Sequence, residues 1–304
     1  MGDCEEGVLS KVVLLSGARG VVGQPLWEEF ERRKCRVVPV SRSVVDSSAG
    51  IKWDMEHEDF LPIEGIAREG STPIDTMVHC APIWLLPRHL PSLAHHGLRR
   101  LIVFSSSSVL SKKNTQDLAE QELVRLLDDG EKNTASQCDQ LGIAFTIFRP
   151  SMIYGFGLDE NVSRLARFIN RWSFAVVAGK ADGLRQPVHA LDLVDAVFKV
   201  LDEVVTYSKV YTLAGAETLS YRKMVCRIFE ALNKPVRVLS LPLPVYRCVL
   251  RVAALTGKFA YTAEMANRMN SNLAYDNYPA IDDFGYAPRP FLECADRDLS
   301  ERLL

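Results

Sequence analysis

The stretch Ser16-Gly17-Ala18-Arg19-Gly20-Val21-Val22-Gly23 puts a glycine at every third position, directly after the apolar run Val12-Val13-Leu14-Leu15 and before a helix-like segment. A short, unbroken apolar run reads as a strand buried on both faces. Glycine in the turn that follows supplies positive φ and lets the backbone approach a ligand closely. A helix that starts there offers the positive end of its dipole to a pyrophosphate. A bare strand-to-helix turn also needs glycine, so the spacing alone is weak. Its place, at the first strand-to-helix junction of the chain, is what makes it read as a nucleotide loop.

The remainder repeats that rhythm. Buried-strand candidates at 36–42, 75–81, 101–108 and 144–150 follow the first at 11–17, and helix candidates lie near 22–34, 87–99 and 115–141. Alternation of this kind predicts βαβ units and a doubly wound parallel sheet. After Pro150 the pattern shifts to helices at 161–172, 191–204 and 220–233, the last with Ser220 as N-cap, and strands at 174–179 and 210–215. The expected organisation is a nucleotide-binding domain over 8–160, with 186–204 packing back onto it. A smaller C-terminal α/β substrate lobe is built from 161–185 and 205–304.

Charge and cysteine content narrow the partners. Of 304 residues, 36 are basic and 38 acidic, and the net charge of −2 comes without a long run of one sign. Nothing there tracks a nucleic-acid backbone or an anionic membrane. No window reaches the roughly 18 apolar residues of a membrane span. The seven cysteines, Cys4, Cys35, Cys80, Cys138, Cys226, Cys248 and Cys294, are scattered without a CxxC. They read as reduced thiols of a cytoplasmic protein, with no metal site expected. His95-His96 has no carboxylate or thiol partner in sequence to change that. The expected partner is a small-molecule substrate, with a homodimer as the candidate assembly.

At the end of the second strand, where an acidic residue would accept a ribose 2′-hydroxyl, the chain reads Val40-Ser41-Arg42-Ser43. Arg42, with Arg19 from the glycine loop, suits a 2′-phosphate, which favours NADP over NAD. Asp54 either accepts from the adenine amine or caps its own loop.

In order along the chain, SGARGVVG (16–23), VHCAP (78–82), VFSSSSV (103–109), TIFRPSMIYG (146–155) and RQPVHALDLVDAV (185–197) resemble motifs of the extended short-chain dehydrogenase/reductases, the NAD-dependent epimerase/dehydratase group. The resemblance spans about residues 11 to 200. It implies a Rossmann fold with NAD(P) along the strand ends and a substrate, often a nucleotide sugar, beneath the C-terminal lobe. It also implies that Gly17, Gly20 and Gly23 line the pyrophosphate, with Val21 and Val22 in the same loop, and that Ser41 and Asp54-Met55 flank the adenosine half. Cys80-Ala81-Pro82 would lie under the adenine-side ribose, and Ser105 with Arg149-Pro150-Ser151 beside the nicotinamide. Arg185 would meet the substrate diphosphate, and Ser107 and Tyr154 the substrate, although packing is the commoner role for such a tyrosine.

The chain departs from the family at its proton-transfer pair. Active members carry a serine, matched here by Ser106, and a YxxxK pair on the helix before the sixth strand. No tyrosine stands between Ser107 and Ile153. Counted back from Gly142, the two positions hold Leu127 and Glu131. Shifted by one they hold Asp128 and Lys132, which would keep a carboxylate base and a cation; the alternative is an ordinary charged helix face. Gly130, costly in a helix, suggests a close approach, for instance by a ligand. His189 is a further acid–base candidate, and a satisfied half-buried histidine is its other reading. Val245 to Leu255, carrying Arg247 and Arg251, reads as a core helix or a substrate lid. The functional expectation is an NADP-favoured reductase or epimerase for a nucleotide-sugar-like or other polar carbonyl or hydroxyl substrate. The alternative is a non-catalytic NAD(P)-binding sensor or structural subunit.

Overall fold

The computed structural model describes residues 12–42, 50–57, 74–113, 115–254 and 263–299, with the backbone alone for 249–254 and 263–265. Ser43 and Leu255 of the readings above, and the side chain of Arg251, lie outside the described residues. Strands β1 (Val12–Ser16), β2 (Arg36–Ser41), β3 (Ile51–Lys52), β4 (Ile74–His79), β5 (Arg100–Phe104) and β6 (Ala144–Pro150) come first. Short strands β7 (Ile153–Tyr154), β8 (Ala175–Ala178), β9 (Leu184–Arg185) and β10 (Val188–His189) follow, then β11 (Lys209–Leu213), β12 (Leu219–Ser220) and β13 (Val238–Leu241). The central sheet has seven strands in the order β11-β6-β5-β4-β1-β2-β3, and every pairing in it is parallel. This is a Rossmann sheet, and its order reverses between β1 and β4, which opens a crevice at their carboxyl ends.

Helices cover both faces, as a fully parallel sheet requires. Helix α1 (Gly23–Arg32) buries Leu26 and Phe30 with Val13 and Leu15 on one face. After α2 (Leu90–His95) and the short α3 (Ser108–Ser111), the long α4 (Leu118–Leu141) lies on the other face. Asp117 caps α4 by accepting from the amides of Ala119 and Glu120, and Gly142 ends it at φ +67°. The helix expected over 87–99 is much shorter. Pro87 and Pro91 break the segment into two 3₁₀ turns, Ile83–Leu85 and Pro87–His89, followed by α2. The strand expected over 101–108 ends at Phe104, because the four serines that follow turn away into α3.

Helices α5 (Val162–Trp172), α6 (Ala190–Val200), α7 (Tyr221–Ala231), α8 (Leu243–Ala254), α9 (Ala263–Arg268), α10 (Tyr278–Phe284) and α11 (Ala295–Leu299) complete the described elements. Ser220 caps α7 by accepting from the Lys223 amide at 3.1 Å. Helix α6 packs Leu193, Val197 and Val200 against the α1 face of the sheet. A separate core forms around α5 and α7 from Val162, Ile169, Val177, Met224, Ile228 and Phe229. One strand departs from the expected division: β11, assigned by sequence to the smaller lobe, pairs with β6 from Lys209↔Thr146 to Leu213↔Pro150 as the edge of the main sheet. Exposed Lys209 and Val210 beside buried Tyr211 and Leu213 suit an edge position. Among the described residues no helix is long and apolar enough to cross a membrane.

Candidate functional site

The glycine loop fills the gap between β1 and β4. Gly17 sits at φ +69°, and a Cβ there would fall 2.7 Å from the Cys80 carbonyl carbon. A Cβ on Gly23 would lie 2.1 Å from the Gly17 carbonyl oxygen. The Gly20 amide donates to that same oxygen at 2.9 Å, and Gln24 donates to Gly20 at 3.0 Å. The loop therefore folds on itself and against the end of β4, with Ala18 and Val22 buried and Arg19 and Gly20 exposed. No side chain caps α1 at Val22, and its first turn has no acidic residue, so the positive end of the helix stays uncompensated by its own residues. A glycine-lined loop on an uncapped helix start fits the pyrophosphate of a dinucleotide.

Beneath the loop lies a contact that the sequence reading missed. Ser16 and His79 are register partners at the ends of β1 and β4. The Ser16 Oγ lies 2.7 Å from His79 Nδ1, and His79 Nε2 lies 3.3 Å from the Pro82 carbonyl. Donation from Nε2 to Pro82 leaves Nδ1 to accept the serine hydroxyl, so the imidazole is neutral. Burial lowers its pKa to about 4. Cys80 adds a backbone bond to Ser16 at 3.1 Å, and burial pushes its thiol far upward. The one available sequence signal was a polar residue closing each of two apolar strands.

On the adenosine side, Arg42 is exposed just beyond β2, and the Ser41 carbonyl accepts from Trp53 at 3.0 Å. Asp54 adopts the local-cap role: Oδ1 accepts from the Glu56 amide at 3.1 Å, and Oδ2 lies 3.0 Å from His57 Nδ1. The His57 hydrogen bond is the main influence holding this carboxyl below the usual range, and Arg42 contributes weakly. The Met55 carbonyl is taken by Arg88 Nη2 and lies 3.0 Å from His89 Nε2. Asp54, Glu56 and His57 bring ligand-type atoms within 4.8 Å of one another, but the turn already uses both Asp54 oxygens.

On the other side of the crevice, Leu127 and Glu131 are the positions of α4 that face inward. Both are buried, together with Gly130, Thr134 and Cys138. Glu131 accepts from Ser105 Oγ, from Arg149 Nη2, and from Arg149 Nε at 3.0 Å to each oxygen. Its side chain is 6% exposed and that of Arg149 22%. Where the resemblance calls for tyrosine and lysine, the fold holds a leucine and a carboxylate already committed to a buried ion pair. Ser106 is half-buried; its Oγ accepts from the Ser108 amide at 3.1 Å, so its own proton remains available to a substrate oxygen. Ser107 is buried, and its amide donates to Pro150 at 3.0 Å. Ser151 Oγ donates to the Gln186 carbonyl at 2.5 Å.

The structure moves several expected site residues elsewhere. Asp128 and Lys132 pair with each other at 2.5 Å on the solvent side of α4, 40% and 70% exposed, because they lie about 100° around the helix from Leu127 and Glu131. Gly130 meets protein rather than ligand: a Cβ would come within 3.0 Å of the Trp84 amide. His189 is fully buried beneath the tail; Nδ1 accepts from the Leu191 amide at 3.1 Å, capping α6, and Nε2 lies 3.1 Å from Asp298 Oδ1. Tyr154 is core, edge-on to His189 and Phe291, with Oη accepting from the Leu292 amide at 3.0 Å. Burial raises its phenol pKa, so it is a poor proton donor near neutrality. Arg185 is buried and donates to three carbonyls, at 2.6 Å to Leu184 and 2.8 Å to Ser271, with a third bond to Arg268. It clamps the tail segment instead of facing a diphosphate. Helix α8 covers the expected segment through Ala254, and Arg247 Nη2 donates to Asn267 at 2.7 Å.

No protein-family model matches the chain. Among curated proteins, a UDP-glucose 4-epimerase of Vibrio cholerae is 22% identical over 320 residues, spanning 94% of this chain and 93% of that protein. Among solved structures, an epimerase of Methanothermobacter thermautotrophicus gives a TM-score of 0.74 at 15% identity, over 98% of this chain and 93% of the other. A UDP-glucuronic acid 4-epimerase of Bacillus cereus, solved with UDP-glucuronic acid and NAD, gives 0.71 at 15% identity, over 95% and 98%. At these identities the likeness establishes a shared fold along almost the whole chain, in keeping with the resemblance drawn from the motifs.

Proposed function

We propose that the chain binds a nicotinamide dinucleotide across the β1/β4 crevice and acts as an NAD(P)-dependent oxidoreductase or epimerase on a nucleotide-sugar-like or other polar carbonyl or hydroxyl substrate. The observation that carries this reading is the glycine loop pressed between β1 and β4 at an uncapped helix start. The relatives in sequence and fold support it, since they include a UDP-glucose 4-epimerase and an epimerase solved with NAD and a UDP-sugar acid. When bound, the nicotinamide supplies hydride transfer. The chain's own residues do the rest. Gly17, Gly20 and Gly23 receive the pyrophosphate, Arg42 with Arg19 favours a 2′-phosphate, and Ser106 donates to the substrate oxygen. With Leu127 at the tyrosine position and Glu131 held by Arg149, the proton is exchanged with water. Turnover should then fall short of a tyrosine-bearing site by the roughly 10²–10⁴-fold that general acid–base help contributes.

The same pairing supports a second reading, a protein that holds the dinucleotide without turning it over. Calorimetry with NAD(H) and NADP(H), followed by NADPH and NADH oxidation over a panel of sugar nucleotides and small carbonyl compounds, separates the two. Steady oxidation with any substrate, or an epimerised sugar nucleotide formed without net oxidation, supports the enzyme; tight binding with neither supports the holder, and no binding at all removes both. Arg42→Ala should cost NADPH about tenfold in affinity and NADH little; an unchanged preference would defeat the NADP assignment.

A further inference from the structure

At one end of the smaller lobe the fold gathers charges that the sequence keeps apart. Segments 161–181 and 219–248, which build the core around α5 and α7, hold ten basic residues and one acidic, Glu230, in a chain whose totals are 36 and 38. Strands β8 and β13 run parallel from Val238↔Ala175 to Leu241↔Ala178, so the segments that enter them lie side by side at the same end. One brings Arg171 and Trp172 from the last turn of α5, and the other brings Lys234, Val236 and Arg237. Lys234 Nζ ties the two together by donating to the Asn170 carbonyl at 2.8 Å and to Ser173 Oγ at 3.3 Å. Arg222 reaches the same ribbon by donating to Ser240 Oγ at 2.8 Å. Among the described residues no carboxylate pairs with Arg171, Arg222 or Arg237. Glu160 stands before the opposite end of α5, about 16 Å along its axis, and Asp182 lies beyond the far end of β8. Three large apolar side chains sit in solvent among these cations: Trp172 is 55% exposed, Val236 48% and Leu239 56%. Single exposed apolar residues are ordinary, but a group of them ringed by unpaired cations marks a contact surface.

We propose that this end of the lobe docks on an anionic bilayer, with Trp172, Val236 and Leu239 entering the headgroup layer and Arg171, Arg222 and Arg237 meeting the lipid phosphates. The cations form no run along the chain; the pairing of β8 with β13 is what brings them to one surface. An indole ring, apolar in body and polar at one edge, favours the boundary between headgroups and acyl chains. Apolar side chains bordered by basic ones are the composition of a surface that lies on a membrane without crossing it. A nucleic-acid backbone would use the arginines equally well but would leave the aliphatic Val236 and Leu239 in water. None of these residues belongs to the β1/β4 crevice, so the inference stands apart from the cofactor reading.

The full chain is to be sedimented with vesicles of phosphatidylcholine alone and of phosphatidylcholine mixed with about one-third phosphatidylserine. It should pellet with the anionic vesicles and not with the neutral ones, and added salt should release it. Arg171→Gln/Arg237→Gln should weaken the partition about thirtyfold, and Trp172→Ser/Leu239→Ser at least about tenfold. Arg32→Gln/Arg125→Gln, which removes two exposed cations from α1 and α4, should leave it unchanged. All these side chains lie at the surface, and thermal melts of each variant separate lost docking from lost folding. Failure to pellet with anionic vesicles, equal pelleting with neutral ones, or equal weakening in the Arg32/Arg125 variant overturns the proposal. A chain that ignores vesicles but retards duplex RNA in a gel overturns it in favour of a nucleic-acid partner.

Discussion

His79 is the residue on which the crevice floor turns. Its ring is fully buried, and both nitrogens are spent on holding β1 to the loop after β4. Neutrality is the condition of that bridge, and burial holds the pKa near about 4 against an ordinary value of 6.5. Between those two pH values the unfolded chain binds the proton that the folded chain refuses. Stability therefore falls as pH drops through that window, by up to about 3 kcal/mol over its full width, and the loss levels off below it. Urea midpoints at pH 7, 5.5 and 4.5 should show this slope, and His79→Gln should remove part of it. Parallel slopes in both proteins would dissociate His79 from the acid sensitivity. Such a role is hard to read from a sequence, because VHC in an apolar run says nothing about which neighbouring strand supplies the partner for the ring.

At the scale of elements, α4 decides what the site contains. Its inward face is Leu127, Gly130, Glu131, Thr134 and Cys138, a spacing of three and four that follows from helical periodicity. Putting the family lysine back with Glu131→Lys would set two cations against each other in a closed space. We expect a loss of about 3–5 kcal/mol in unfolding free energy and no gain in turnover, with part of the loss recovered by adding Arg149→Gln. A Glu131→Lys protein as stable as the parent would show that the pair does not matter to the fold. Gly142, from which the sequence reading counted back to Leu127 and Glu131, does end the helix in the left-handed region. The glycine loop and the parallel character of the sheet were equally legible, being set by local periodicity and turn chemistry. The partners of His189, Tyr154 and Arg185 were not, although a packed role was one reading of the first two, since each meets a segment far along the chain: Asp298, Leu292, and the carbonyls of Arg268 and Ser271. Gly130 likewise answers to the turn at Trp84, some 46 positions earlier, and not to a ligand.

On the scale of the whole molecule, the tail and the Rossmann sheet are tied by long-range bonds. Arg268 reaches Glu120 at the start of α4, which also pairs with Lys112 at 3.1 Å, and Arg289 donates to Asp192 of α6 at 2.5 Å. The sheet itself is finished late, because its outermost strand, β11, is laid down after the chain has passed through the separate core around α5. A polypeptide leaving the ribosome with only its first 185 residues would carry a naked β6, five of whose seven residues are buried in the finished protein. Such an exposed border pairs readily with a second chain. A fragment ending at residue 185 should therefore collect in the pellet on expression, whereas one extended through residue 215 should be markedly more soluble. Equal recovery of the two would mean that the last strand is ornamental to folding; unequal recovery would make residues 209–213 the point in synthesis at which the first domain becomes able to stand by itself.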